Sequence, residues 1–116
     1  PLLVAGQVHG GIVQGLGQAM GEHAIFEEET GQLINGSYMD YHMPRADEFP
    51  HLDLDFNEEV ECTTNMLGAK GCGEAGTVAS TTAYVNAVYD ALSEYNFKEL
   101  DMPITPMKVW KIINNN

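Results

Sequence analysis

The sequence predicts an α+β chain with two main helices, a small set of strands between them and a short C-terminal helix. Apolar residues recur at helical spacing near the N-terminus and again from Val78 to Leu92. Apolar and acidic residues alternate from Leu52 to Phe56, and a Thr-Pro start signal at Thr105-Pro106 precedes a last apolar run. At 116 residues, 44% hydrophobic and 19% charged, the chain reads as one globular unit, residues 1–116, neither disordered nor divided.

From Leu3 to Phe26, Val8, Ile12, Leu16, Ala19 and Met20 mark one face of a helix, with Gln7, Gln14, Gln18 and Glu22 between them. Gly6, Gly10, Gly11, Gly15, Gly17 and Gly21 fall inside this span, and each interior glycine costs roughly 0.5–1 kcal/mol relative to alanine. The offset has to come from close approach, either to another helix or to a flat ligand, and the sequence leaves both open. Thr30-Gly31 and Asn35-Gly36 are turn signals, so Glu27 to Tyr41 is expected to hold short strands or a hairpin.

Pro44 and Pro50 bracket an extended surface loop, and the alternation of Leu52, Leu54 and Phe56 with Asp53 and Asp55 predicts a half-buried strand. A second glycine-rich stretch, Leu67 to Gly76, then feeds a helix. Thr77 or Ser80 is its expected cap, and Val78, Thr81, Val85, Val88 and Leu92 its packed face. Asp101 to Pro106 reads as a linker. Thr105 then caps a helix that begins at Pro106 and carries Val109, Trp110 and Ile113, with a frayed end at Asn114 to Asn116.

Seventeen acidic against five basic side chains give a formal charge of −12, which repels nucleic-acid phosphates and anionic membrane surfaces. No apolar run approaches the ~20 residues of a membrane span, and no signal-peptide pattern opens the chain, so a cytoplasmic protein is expected. Cys62 and Cys72 match neither a disulfide framework nor a zinc site and are expected as free thiols. His9, His23, His42 and His51 lack metal-ligand spacing, so no protein-bound metal is assigned. The opening Pro-Leu-Leu-Val, without an initiating Met, suggests a cut inside a longer protein.

The chemistry concentrates at Gly68 to Gly76. Glycines there allow backbone N–H groups to converge on an anion, and the following helix adds the positive end of its dipole. Glu74 is the only carboxylate between Glu61 and Asp90, and it stands among small residues that leave it accessible. It fits a general base, or simply a dipole partner for the helix. Gly71-Cys-Gly-Glu-Ala-Gly76 also satisfies the letters of a dinucleotide-binding fingerprint, but the preceding Glu61 to Met66 is polar where an apolar strand is needed. Lys70 suits either a phosphate, bulk water or Glu74, and Cys72 either a nucleophile or a small packed thiol.

Gly6-Gln-Val-His-Gly-Gly-Ile-Val-Gln-Gly-Leu-Gly-Gln-Ala19, Gly31-Gln-Leu-Ile-Asn-Gly-Ser-Tyr-Met-Asp-Tyr41, Pro44-Arg-Ala-Asp-Glu-Phe-Pro50 and Gly68-Ala-Lys-Gly-Cys-Gly-Glu-Ala-Gly76 together resemble, in this order, the final part of the molybdenum hydroxylase large subunit. This is the xanthine oxidase family, and the similarity is greatest to bacterial members of the aerobic carbon monoxide dehydrogenase type. The resemblance runs from about Pro1 to Ile113 and implies a fragment of the molybdopterin-binding domain.

By that resemblance Glu74 is the catalytic base. Gln7 and Cys72 match positions that contact the molybdopterin, while Gly10, Gly11, Gly71 and Gly73 leave room for it. The implied cofactor is molybdenum-molybdopterin cytosine dinucleotide, with the metal held by the pterin and iron–sulfur clusters and FAD on partner subunits or domains. The implied reaction hydroxylates a small carbonyl, aldehyde or N-heterocyclic substrate, or oxidises CO, with water as the oxygen source. The rest of the large subunit would complete the site, the isolated piece would be inactive, and its uncovered face could self-associate. Two other readings stay open: a nucleotide-binding module using Gly71 to Gly76, and a noncatalytic assembly fragment.

Overall fold

A computed structural model describes residues 1–114. It contains α1 (Leu2–Met20), α2 (Ala75–Ala91) and α3 (Pro106–Asn114), with one 3-10 turn at Ala46–Glu48. Helices α1 and α2 lie side by side and run in the same direction. Gly11 meets Gly76 and Thr77, and Gly15 meets Thr77, Ser80 and Thr81, so the register advances together along both helices. Two parallel helices need a long return, which residues 21–74 supply.

The glycines of α1 divide into two groups. A Cβ added at Gly76 would lie 2.4 Å from Val8 O and 2.6 Å from Ile12 N, and one added at Gly11 would lie 3.2 Å from Gly76 Cα. The backbones therefore touch, and the crossing offsets the propensity loss at this face. Thr81 Oγ1 donates to Gly15 O at 3.1 Å and fixes the same contact one turn further on. Gly6 and Gly10 face the other way, with no atom within 4 Å of an added Cβ.

Helix α1 stops at Met20 instead of reaching Phe26. A Cβ at Gly21 would fall 2.2 Å from the His42 ring, and Ile104 N donates to the terminal Ala19 carbonyl at 2.6 Å, so the returning chain closes this end. The expected small set of strands reduces, among the described residues, to one isolated antiparallel bridge between Phe26 and Leu33. It encloses a turn in which Gly31 takes φ of +70° and donates to Glu27 O. Asn35 is not a turn residue: its buried amide accepts from Ile25 N at 2.8 Å and donates to His23 O at 2.6 Å, doing with a side chain what a further rung would do.

Leu52 and Leu54 are half-buried and Asp53 and Asp55 exposed, as the alternation predicted, but Phe56 is exposed as well and the segment forms no ladder. It lies against α1 instead, where His9 Nε2 donates to Leu52 O at 3.2 Å. Alternating burial needs only a surface to lie on; a strand also needs a partner edge.

The hydrophobic core is small and sits at the C-terminal end of α2. Leu92, Leu100 and Ile104 are buried, with Val85, Val88, Tyr95, Phe97, Val109 and Ile112 packed around them. The predicted linker is thus core: Ile104 is 1% exposed. Val78, expected on the packed face of α2, is exposed, and α3 packs through Val109 and Ile112 while Trp110 and Ile113 face outward. Thr105 Oγ1 caps α3 as expected, accepting from Lys108 N at 3.4 Å. Asn114 is the last residue of α3, its amide donating to Trp110 O, whereas Asn115 and Asn116 of the expected frayed tail lie outside the described residues.

Candidate active site at the start of the second helix

Glu74 is the N-cap residue of α2, so the helix begins earlier than a cap at Thr77 or Ser80 would place it. Its carbonyl accepts from Thr77 N and Val78 N at 3.1 and 3.2 Å, and its side chain makes no cap hydrogen bond, leaving the carboxylate exposed. Just upstream, Ala75 N donates to Cys72 O at 3.2 Å, which curls the loop into the helix. The N–H groups of Gly71, Cys72, Gly73 and Glu74 have no backbone acceptor among the described residues. They stand at the positive end of the α2 dipole, available to water or to an anionic ligand.

Because Gly76 seats on the backbone of Val8 to Ile12, α1 extends past the start of α2 and walls the loop. An ideal Cβ at Gly73 would sit 3.9 Å from Gln7 Oε1. Gln7, Gly71, Gly73 and Glu74 are all exposed in this region and Cys72 is half-buried, while Gly10, also exposed, lies beside the Pro44 to Leu52 segment. Added Cβ atoms at Gly6, Gly10 and Gly71 would meet nothing within 4 Å, so internal packing does not account for these glycines. Gly11 differs, since it is buried in the crossing and its missing side chain is explained by α2. This surface offers bare backbone, a carboxamide and N–H groups without backbone acceptors at a helix start.

Lys70 does not pair with Glu74; its Nζ donates to the Val60 carbonyl. Residues ahead of the loop form turns shaped by Asn65, whose Oδ1 accepts from Leu67 N and Ala69 N and whose Nδ2 donates to Ala69 O. The parallel strand that a dinucleotide fingerprint requires is therefore missing where it should stand. Among the described residues no three His, Cys, Asp or Glu side chains gather as metal ligands. Thr81 lies on the packed face as expected, whereas sequence reasoning overlooked Gly76 as part of the helix crossing. The signal was there in reciprocal small residues four apart, Gly11 and Gly15 on one helix, Gly76 and Ser80 on the other.

A family model described as "Molybdopterin cofactor-binding domain" matches residues 1–50. The gamma subunit of the 6-hydroxypseudooxynicotine dehydrogenase complex of Paenarthrobacter nicotinovorans is 38% identical over 110 residues, covering 95% of this chain. The carbon monoxide dehydrogenase large chain of Hydrogenophaga pseudoflava is 35% identical over 116 residues, the whole chain. A crystal structure of Cu,Mo-CO dehydrogenase in its carbon monoxide reduced state superposes over 99% of the chain with a TM-score of 0.88 at 32% identity. The chain belongs to the molybdenum hydroxylase family. It spans 14% of the length of each of these relatives. In molybdenum hydroxylase terms, the wall built by α1 and the Glu74 loop is a segment of the molybdopterin-binding subunit.

Proposed function

We propose that this chain forms one wall of the cofactor site of a molybdenum-dependent oxidoreductase, with Glu74 as its general base. The observation that carries the reading is the approach of the Gln7 amide to the Gly73 position, 3.9 Å from an added Cβ, which puts the glycine-rich face of α1 beside the loop that carries Glu74. Gln7, Gly10, Gly71, Cys72 and Gly73 are the residues that would hold the molybdopterin, and Gly11 lets the wall close on α2. The cofactor, in its cytosine dinucleotide form, supplies two-electron oxidation with oxygen drawn from water. Glu74 takes up the proton released as that oxygen is transferred to the substrate carbon. The remaining loops of the site come from the rest of the large subunit, and iron–sulfur and FAD partners carry the electrons away.

Substrates are small carbonyls, aldehydes, N-heterocycles or CO. Relatives named for CO and for 6-hydroxypseudooxynicotine are 35% and 38% identical to the chain, a near-equal likeness that favours specificity residues outside this segment. The test is Glu74→Gln in the full-length holoenzyme. General-base catalysis contributes roughly 10²–10⁴-fold, so kcat falls by that order while molybdenum content is retained. Full turnover by the variant rejects the assignment. A nucleotide-binding module would instead show affinity of the chain for NAD or ATP, which this reading does not expect.

A further inference from the structure

Gly76 stands two residues after Glu74, buried against the α1 backbone at the helix crossing. A methyl group there would have to move from 2.4 Å to about 3.4 Å from Val8 O before ordinary contact is restored. Its other close neighbours, Ile12 N at 2.6 Å and Gly11 C at 3.0 Å, are also backbone, so nothing can rotate aside. The helices must part by roughly 1 Å at this level. Glu74 moves with α2, because its carbonyl is bonded to the Thr77 and Val78 N–H groups of the first turn. Gln7, which approaches the Gly73 position, stays with α1. The crossing therefore sets the separation between the carboxylate and the wall.

We propose that Gly76 is a positioning residue, holding Glu74 and its loop at their working distance from Gln7 on α1 through the closeness of the helix crossing. This rests on the reading of Glu74 as the base. Gly11 belongs to the same device with a smaller lever, since a Cβ there would sit 3.2 Å from Gly76 Cα and Thr77 N and needs only a few tenths of an ångström.

The experiment compares Gly76→Ala and Gly11→Ala in the full-length holoenzyme, reading kcat per molybdenum, KM, and molybdenum and pterin content per subunit. A displacement near 1 Å of a catalytic group costs on the order of 10²-fold. Gly76→Ala should lose about that factor in kcat and Gly11→Ala several-fold, both with KM and cofactor content at wild-type level. A purely structural glycine would lower thermal stability or cofactor content and leave kcat per molybdenum unchanged, and that result overturns the proposal. If Gly76→Ala does not assemble, Gly11→Ala decides: wild-type kcat per molybdenum there is equally fatal. Wild-type turnover by Glu74→Gln would reject the base itself; an inactive Glu74→Gln beside an unaffected Gly76→Ala rejects only the positioning.

Discussion

Cys62 shows how local hydrogen bonding gives a residue chemistry that its position in the sequence does not advertise. Its sulfur lies 3.1 Å from Thr64 Oγ1 and accepts from Asn65 Nδ2 at 3.3 Å. The Thr64 hydroxyl, then the Thr64 N–H, hold the thiol below its ordinary range, against a smaller opposing effect of desolvation. A lowered thiol pKa places more thiolate, the reactive form, at a given pH. Alkylation of Cys62 should reach its half-maximal rate at a lower pH than that of a free cysteine. Thr64→Val should move that midpoint back up. A Cys62 midpoint equal to that of a cysteine peptide would show that these hydrogen bonds do not persist in solution.

At the scale of elements, Ile104 ties the parts together. Its side chain fills the core between α2 and α3, and its N–H satisfies the last turn of α1. Truncating such a buried isoleucine costs about 2–5 kcal/mol, while the backbone hydrogen bond survives. Ile104→Ala should therefore speed amide exchange across Val85 to Leu92 and α3 by at least about tenfold, leaving the Gly11 to Gly76 crossing less affected. Uniform acceleration over the chain, or none, would contradict a core confined to that end. Periodicity made the helices legible, because an apolar stripe at 3.6 residues has one structural meaning at these lengths. It placed Thr81 on the packed face but could not tell that Val78 is bare, since the partner of α2 at that level is a glycine backbone and not a hydrophobic face. Nor could alternation at Leu52 to Phe56 tell a strand from a segment laid across a helix. The candidate site drew attention for a different reason: glycines and a lone carboxylate are conspicuous by composition, whereas the crossing that brings Gln7 to Gly73 is a long-range fact visible only in three dimensions.

At the scale of the whole molecule, the chain does not close on itself. Its radius of gyration is 18.2 Å, where a compact domain of this length has about 13 Å. Its accessible surface is 9318 Å², against roughly 6,200 Å² for a compact monomer of this mass. The surplus is of the size that a large obligate interface buries, and it carries Leu2, Leu3, Tyr38, Met39, Met66 and Leu67 almost fully exposed. Within a longer molybdenum hydroxylase subunit that surface has the rest of the polypeptide to meet. On the chain alone it is left to water or to another copy, opposed by the mutual repulsion of a net charge of −12. Apolar attraction is insensitive to moderate salt, while repulsion between exposed charges is screened beyond a Debye length, about 30 Å at 0.01 M and 8 Å at 0.15 M. The isolated chain should thus self-associate in sedimentation experiments, weakly at low ionic strength and more strongly as salt rises, in a concentration-dependent way. A sharp monomer at every salt concentration would mean that these apolar side chains find cover within the chain itself, and that the molecule in solution is more compact than 18.2 Å.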